Sequence, residues 1–417
     1  MSKLTFSRLR EAVAGDAVAM RSRLTLQPAG GDGDKVFPPS YAVDGQPDHR
    51  YAVEERRIGD SEDVSVTVLL DSVASQANRA ELALLEGWER GELSFPVPYV
   101  DFSHDDGLTD YDKLTVLEAP HRLADAIFRD SLLDGTLFRF SDVGRAITDA
   151  TPRDATEMYR YSPTSLLFGL WDSTGPRGGL GSKFQRQYVS EIVGFDAVIG
   201  KKVGSRIDPL QIEKVATDDR AFNTADSDEV WTFDEERAEK DRKGKPVFAS
   251  RGGASGEAGQ PSKINHGNVV PSIDRQAGGV TISTAVQTTV ISLAGLRRLR
   301  FKGFELPAEA AARTAVAALG VAAVAYQYEV DFDLRSRCLL LPAHAPRIEL
   351  LARDGSAAEA IEVDRETAAK LLAESVAYAD DMGIPWVVDE IRLQPAPKLL
   401  ELIRRSRKVA VAEPMEA

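Results

Sequence analysis

Alternation of apolar and polar residues predicts strands at several places along this chain. Residues 18–26, 64–70, 95–102, 188–193 and 280–291 show this pattern, and shorter runs occur at 337–341 and 348–351. In the run 280–291, Val280, Ile282, Val286 and Val290 are expected on one face of the strand. Strands interleaved with helical segments predict an α+β fold with one core.

Helical spacing of apolar residues predicts helices over 4–13, 72–89, 121–133, 307–326 and 366–381. Asp71 is the expected N-cap of the second helix. Its predicted apolar stripe consists of Val73, Ala77, Leu84 and Trp88, and a neighbouring face carries Gln76, Arg79 and Ala83. Strand, helix and strand over 64–102 then form a β-α-β unit.

A glycine-rich stretch follows an apolar segment in the middle of the chain. Residues 166–171, ending at Trp171, are expected in the core, and glycines at 175, 178, 179 and 181 alternate with Arg177, Lys183 and Arg186. Glycines expose backbone N–H groups, and Arg and Lys bind phosphate oxygens. The spacing fits neither a Walker A loop nor a dinucleotide-binding motif, which disfavours a nucleotide-binding enzyme. A solvated loop remains the alternative.

The stretch 206–279 is acidic and then rich in Gly and Ser, with almost no helical or strand periodicity. A loop of this length inside a domain is usually functional or disordered. Near its end, Lys263, Asn265, His266 and Asn268 offer polar groups close together. Ordinary turn chemistry explains such a cluster equally well.

Composition narrows the function classes. Of 417 residues 43% are hydrophobic, which is ordinary for a globular protein, and the net charge of −14 argues against a surface coated with nucleic acid. Local basic clusters at 173–206 and 290–302 still allow one polyanion-binding groove. The single cysteine and the scattered histidines predict neither a disulfide nor a metal site. No signal peptide or membrane span is evident, so we expect a cytoplasmic protein without a membrane partner.

Four separated motifs resemble one protein family. They read QPAGGDGDKVFPP (27–39), LDSVASQANRAE (70–81), SPTSLLFGLWD (162–172) and NHGN (265–268). In this order they resemble the backbone subunit, the Cas-seven type of the RAMP superfamily, of the type I-U (also called I-G) CRISPR effector. The resemblance extends over about residues 4–405. One departure is Val270, where the family pattern suggests proline.

The resemblance implies an RRM-like (ferredoxin-like) palm with large insertions, one of them thumb-like. The expected divisions are 1–205 and 280–408 for the core, 206–279 for the thumb and 409–417 for a disordered tail. Copies of such a subunit assemble along a CRISPR guide RNA with other subunits of the effector complex. They leave the guide bases free to pair with target DNA, so phosphate contacts are needed rather than base readers.

On this interpretation the protein is a non-catalytic RNA-binding subunit without a cofactor or metal. The expected RNA-binding residues are Arg21, Arg23, Lys35, Gln76, Arg79, Arg122, Arg177, Lys183, Arg186, Lys263, Asn265 and His266. For Arg122 a buried structural role is the alternative. The alternative function is a RAMP-superfamily endoribonuclease acting on CRISPR RNA, with His266, His121 and Asp101 as candidate catalytic groups.

Overall fold

A computed structural model describes residues 3–412, except 46, 60–63, 105–111, 176–180, 225, 227–228, 251–256 and 359. The chain divides into two compact units. The first consists of Met1–Ala42, Tyr51–Val198 and Val280–Leu400. The second consists of Val43–Arg50, Ile199–Gly279 and Glu401–Ala417.

The described α-helices, in chain order, are α1 Phe6–Ala14, α2 Val73–Glu89, α3 Ala126–Arg129, α4 Asp142–Asp149, α5 Thr156–Tyr161, α6 Pro163–Phe168, α7 Leu293–Leu296, α8 Leu306–Glu329, α9 Arg365–Asp381 and α10 Pro397–Ala412. The described strands are β1 Ala17–Pro28, β2 Val53–Arg57, β3 Val64–Asp71, β4 Tyr99–Asp101, β5 Lys113–Thr115, β6 Ser131–Leu133, β7 Thr136–Leu137, β8 Leu170–Trp171, β9 Lys183–Phe184, β10 Tyr188–Phe195, β11 Val198–Ile199, β12 Lys202–Arg206, β13 Phe222–Asn223, β14 Trp231–Thr232, β15 Val269–Asp274, β16 Val280–Thr281, β17 Thr284–Ser292, β18 Phe332–Asp333, β19 Leu339–Pro342, β20 Arg347–Ala352, β21 Ala360–Glu362 and β22 Arg392–Pro395.

The first unit is built on an antiparallel sheet with the strand order β18-β19-β1-β17-β10-β3-β2. β20 adds to β1, and β21 adds to β20. A smaller sheet has the order β5-β4-β22-β6-β7. Helices and a mainly antiparallel sheet in one chain confirm the predicted α+β class.

Two helices connect strands of the main sheet that run in the same direction. β1 and β10 are each antiparallel to β17, which lies between them, and α2 is in the connection from β1 to β10. β17 and β19 are likewise separated by β1, and α8 connects them. The result is a β-α-β-β-α-β arrangement with added edge strands.

The helix α8 is a long, largely buried helix of the first unit. It has the length and hydropathy of a membrane span, but 94% of its apolar 18-residue window is buried inside the protein. Small residues let it approach α2 closely, because a Cβ on Gly87 would lie 2.5 Å from Cε1 of Tyr326. The predicted buried helix over 307–326 is therefore confirmed.

The helix α2 buries a wider face than the predicted apolar stripe. Ser72, and not Asp71, is its N-cap, and its hydroxyl accepts a hydrogen bond from Ser75 N. The buried residues of the helix are Gln76, Ala77, Ala80, Glu81, Ala83, Leu84, Leu85 and Gly87, whereas Trp88 is only half-buried. Ala77 and Leu84 of the predicted stripe are thus in the core together with Gln76 and Ala83 of the neighbouring face, whereas Val73 and Trp88 are only half-buried.

Two other predictions of local structure are wrong. In place of a helix over 121–133 the chain forms a 3-10 turn, the short helix α3 capped by Asp125, and strand β6, because residues 131 and 132 pair with β22. In β17 the buried residues are Ala285, Gln287, Thr289 and Ile291, while Val286 and Val290 lie on the open face. The break between β16 and β17 shifts the alternation by one residue.

The second unit contains regular structure where the sequence shows almost no periodicity. β12 and β15 form an antiparallel ribbon, and β13 pairs with β14. The Asp208 carboxylate stabilises the turn beside the ribbon by accepting hydrogen bonds from Gly267 N at 2.8 Å and Leu210 N at 2.9 Å. At the end of the chain, α10 extends to Ala412 and so covers the first part of the expected disordered tail; 413–417 lie outside the described residues.

A basic cleft as the candidate nucleic-acid interface

The first unit contains a cleft of about 790 Å³ between the start of α2, the β8–β9 ribbon and the start of β10. Five of its lining residues are basic or imidazole side chains, namely His121, Arg122, Arg129, Lys183 and Arg186. No Asp or Glu is among the described lining residues. Such a concave, basic surface suits an anionic ligand.

The two-stranded ribbon β8–β9 forms one wall of the cleft. Leu170 pairs with Phe184, and Trp171 pairs with Lys183. Leu170 and Phe184 are buried, so alternation directs Trp171 and Lys183 to the opposite, solvent-facing side. There the Lys183 ammonium lies 5.0 Å from the centroid of the Trp171 indole. The expectation that Trp171 belongs to the core is wrong, since the residue is 60% exposed.

Arg122 lines the cleft, but its guanidinium is held inside the protein. Nε and Nη2 donate to the two carboxylate oxygens of Glu81 at 2.6 and 2.8 Å, and Nη1 donates to Gly169 O at 2.9 Å. Both side chains are almost fully buried. Burial raises the pKa of Glu81 to about 7, although Arg122 lowers it in part. This geometry favours the structural alternative for Arg122.

Arg186 lies beside this ion pair, and no carboxylate of the described residues forms a hydrogen bond with it. Its Nε donates to Phe168 O at 3.2 Å. Burial is the main cause that lowers the pKa of Arg186, and repulsion from Arg122 is the second. Keeping Arg186 charged at this place therefore costs free energy. Two guanidinium groups thus share the single carboxylate of Glu81, which leaves excess positive charge in the wall of the cleft.

A close backbone approach beneath the cleft requires glycine at position 169. Gly169 has φ +84°, and a Cβ there would lie 3.0 Å from Arg186 N. The same residue supplies the carbonyl that accepts the hydrogen bond from Arg122. Gly169 therefore helps to position both arginines, since its carbonyl binds Arg122 and its lack of a Cβ leaves room for the backbone of Arg186.

Arg129, another of these basic lining residues, is already paired. Its Nη2 lies 2.6 Å from Asp130 Oδ2, and this hydrogen bond raises the pKa of Arg129. Lys183 and Arg186 are thus the two cations of the cleft that have no carboxylate hydrogen-bond partner among the described residues.

Two predicted RNA-binding residues lie on β1, on the open face of the main sheet. The half-exposed Arg21 pairs with Glu349 at 2.7 Å, and Arg23 is exposed opposite Thr288. Lys35 lies in the glycine-rich turn after β1 and is half-buried.

Gln76 points inward and Arg79 is only partly exposed, whereas both were expected to face the RNA. Gln76 is fully buried, and its Oε1 accepts hydrogen bonds from Ser190, Gln287 and Gln327. Its Nε2 donates to Asp71 at 2.6 Å, and Arg79 donates to the same carboxylate at 3.0 Å. Buried polar groups need such partners, so these contacts have an adequate structural explanation.

The remaining predicted residues lie elsewhere. Lys263, Asn265 and His266 belong to the second unit, where Asn265 has φ +61° and His266 Nδ1 is 4.0 Å from Asp208 Oδ2. Arg177 lies outside the described residues. The structure therefore brings Arg122, Lys183 and Arg186 together at one cleft and places Arg21 and Arg23 on the sheet.

Three aromatic or cationic lining residues were not among the expected RNA-binding residues, namely Trp171, Arg129 and His121. For Trp171 the sequence does offer a signal, because Leu170 and Trp171 come directly before a glycine-rich loop and could form a short strand of a two-stranded ribbon. In such a strand the two side chains face opposite sides. His121 was considered only as a candidate catalytic group, and the position of His121 and Arg129 in the cleft depends on the turn that replaces the predicted helix.

Comparison with known proteins bears on this same part of the chain. Residues 20–199 match the family model described as CRISPR-associated protein GSU0053. The match indicates a CRISPR-associated protein. It covers less than half of the 417 residues, but it includes most of β1, all of α2 and all the described lining residues of the cleft. No curated protein matches the chain.

Proposed function

We propose that this CRISPR-associated protein is a non-catalytic, guide-RNA-binding backbone subunit of a type I-U (I-G) effector complex. The observation that carries the proposal is the basic cleft, in which no carboxylate from the described part of the chain pairs with Lys183 or Arg186. Phosphodiester oxygens are suitable partners for these groups.

The surrounding fold supports the proposal. The β-α-β-β-α-β arrangement of the first unit is the one expected for an RRM-like palm. Its open face carries Arg21 and Arg23 and aliphatic residues such as Val189 and Val290, with few aromatic side chains. A face of this composition suits contacts to the sugar–phosphate backbone better than stacking on bases. We further propose that the protein is cytoplasmic and assembles with other copies and subunits along the guide.

The alternative, an endoribonuclease, has less support. General acid–base cleavage needs two groups positioned across one phosphate. The described lining of the cleft offers His121 but no carboxylate. Asp101 is held by Arg392 and by Ser103 N at 2.8 Å, and it does not line the cleft.

A salt titration of RNA binding tests the proposal. Labelled single-stranded RNAs of unrelated sequence are bound to the purified protein, and dissociation constants are measured by fluorescence anisotropy over a range of salt concentrations. We expect similar affinities for all sequences and a steep loss with salt. The double variant Lys183→Ala/Arg186→Ala lowers the slope of log Kd against log salt by about 1.4, at about 0.7 for each phosphate contact.

The matched control replaces two exposed lysines of the same unit, Lys370 and Lys398, by alanine. This variant has the same change in net charge and is expected to keep the wild-type slope. Absence of RNA binding, or a preference for one sequence that persists at high salt, would contradict the proposal. Cleavage of a labelled guide precursor that His121→Ala abolishes would favour the nuclease.

A further inference from the structure

The exposed indole of Trp171 needs an explanation beyond packing. A tryptophan side chain contributes most to stability when it is buried, yet Trp171 is 60% exposed on the wall of a cleft. The register of the ribbon holds it there, because its neighbours Leu170 and Phe184 occupy the core side of the same two strands.

The cations beside the indole indicate what kind of ligand it contacts. Lys183 lies over the ring at 5.0 Å, and Arg186 lines the same cleft. Arg186 is close to the Arg122–Glu81 pair, whose negative charge is already neutralised by two hydrogen bonds. An anion entering here therefore meets two cations and no described lining carboxylate. A ligand that is both flat and anionic satisfies both features, and a nucleotide is such a ligand.

We propose that Trp171 is a stacking platform for one nucleobase and that Lys183 and Arg186 bind the phosphate of the same nucleotide. The proposal rests on the proposed function, and it adds a single base contact to a surface otherwise suited to the RNA backbone. Every base has an aromatic face, so this contact does not select a sequence.

The test compares two ligands that differ only in their bases. One is an oligoadenylate RNA, and the other is an abasic oligomer of the same length and phosphate count. Trp171→Leu removes the aromatic face but keeps an apolar side chain. We expect it to weaken binding of the oligoadenylate about 10-fold and to leave binding of the abasic oligomer unchanged. Trp171→Phe retains most of the affinity, whereas Lys183→Ala/Arg186→Ala weakens binding of both oligomers.

The matched control is Phe140→Leu, which replaces another exposed aromatic residue of the first unit that does not line the cleft. It is expected to change neither affinity. Far-UV circular dichroism and the melting temperature confirm that each variant is folded, as expected for changes at exposed positions. Quenching of tryptophan fluorescence by the oligoadenylate, lost in Trp171→Phe, provides a second readout.

Each other outcome overturns the inference in a distinguishable way. If the wild type binds both oligomers and Trp171→Leu affects neither, the stacking site is wrong and the proposed function stands. Equal weakening of both oligomers by Trp171→Leu would show that the indole only positions Lys183. If the wild type binds neither oligomer, the stacking site and the proposed function are both wrong.

Discussion

Replacing Arg122 by alanine tests whether this residue stabilises the fold or binds RNA in the cleft. The guanidinium makes three hydrogen bonds, two to Glu81 and one to Gly169 O, at 2.6 to 2.9 Å. It also lies 5.6 Å from the centroid of the Phe168 ring. The variant leaves the Glu81 carboxyl, which is 2% exposed, without its cation.

The expected cost follows from this burial. Removing one partner of a buried ion pair costs about 3–5 kcal/mol, because the remaining group stays desolvated and loses its hydrogen-bond partner. Arg129→Ala is the control, since Arg129 and its neighbour Asp130 are both partly exposed and such a pair contributes about 0–1 kcal/mol. The double variant Glu81→Leu/Arg122→Met removes both charges and should recover most of the stability lost by Arg122→Ala.

Urea denaturation measures these differences in the free energy of unfolding. RNA binding is measured in parallel at low temperature, where the Arg122→Ala protein is still folded, and we expect a small effect compared with Lys183→Ala/Arg186→Ala. A loss of stability below about 1 kcal/mol together with a large loss of RNA affinity would refute the reasoning. In that case Arg122 would be an RNA ligand, as the sequence first indicated.

Two further predictions concern the same site. Gly169→Ala should destabilise the protein by about 1–3 kcal/mol in urea denaturation, because φ is +84° and the new Cβ would lie 3.0 Å from Arg186 N. The control Gly204→Ala has open space around the new Cβ and should destabilise the protein far less. Equal losses of stability in the two variants would contradict the argument. The raised pKa of Glu81, about 7 against an ordinary 4.5, means that the folded state binds an extra proton between these values. Its contribution to stability is therefore fully present below pH 4.5 and is lost as the pH rises through 7, with a slope of at most about 1.4 kcal/mol per pH unit. The free energy of unfolding of the wild type minus that of Glu81→Gln should fall between pH 5 and pH 8, and a rise would show that Arg122 outweighs burial.

Local sequence patterns predict much of the architecture. The strands β1, β10 and β17 and the helices α8 and α9 occur within a few residues of their predicted positions. Apolar alternation and helical spacing are short-range signals, and in long, strongly periodic segments tertiary contacts do not override them. Lys183 and Arg186 were also predicted to bind RNA, because cations beside glycines indicate an anion-binding loop.

Which side chains face the core and which face the solvent, by contrast, was decided only by tertiary structure. Gln76 is buried because Ser190, Gln287 and Gln327, all distant in sequence, satisfy its amide oxygen. Trp171 is exposed because the pairing of Leu170 with Phe184 takes the core side of the ribbon. One residue of register reverses the faces of a strand, and a buried polar group is stable only if its partners are in place. Both conditions depend on contacts between distant segments, which local sequence patterns do not specify.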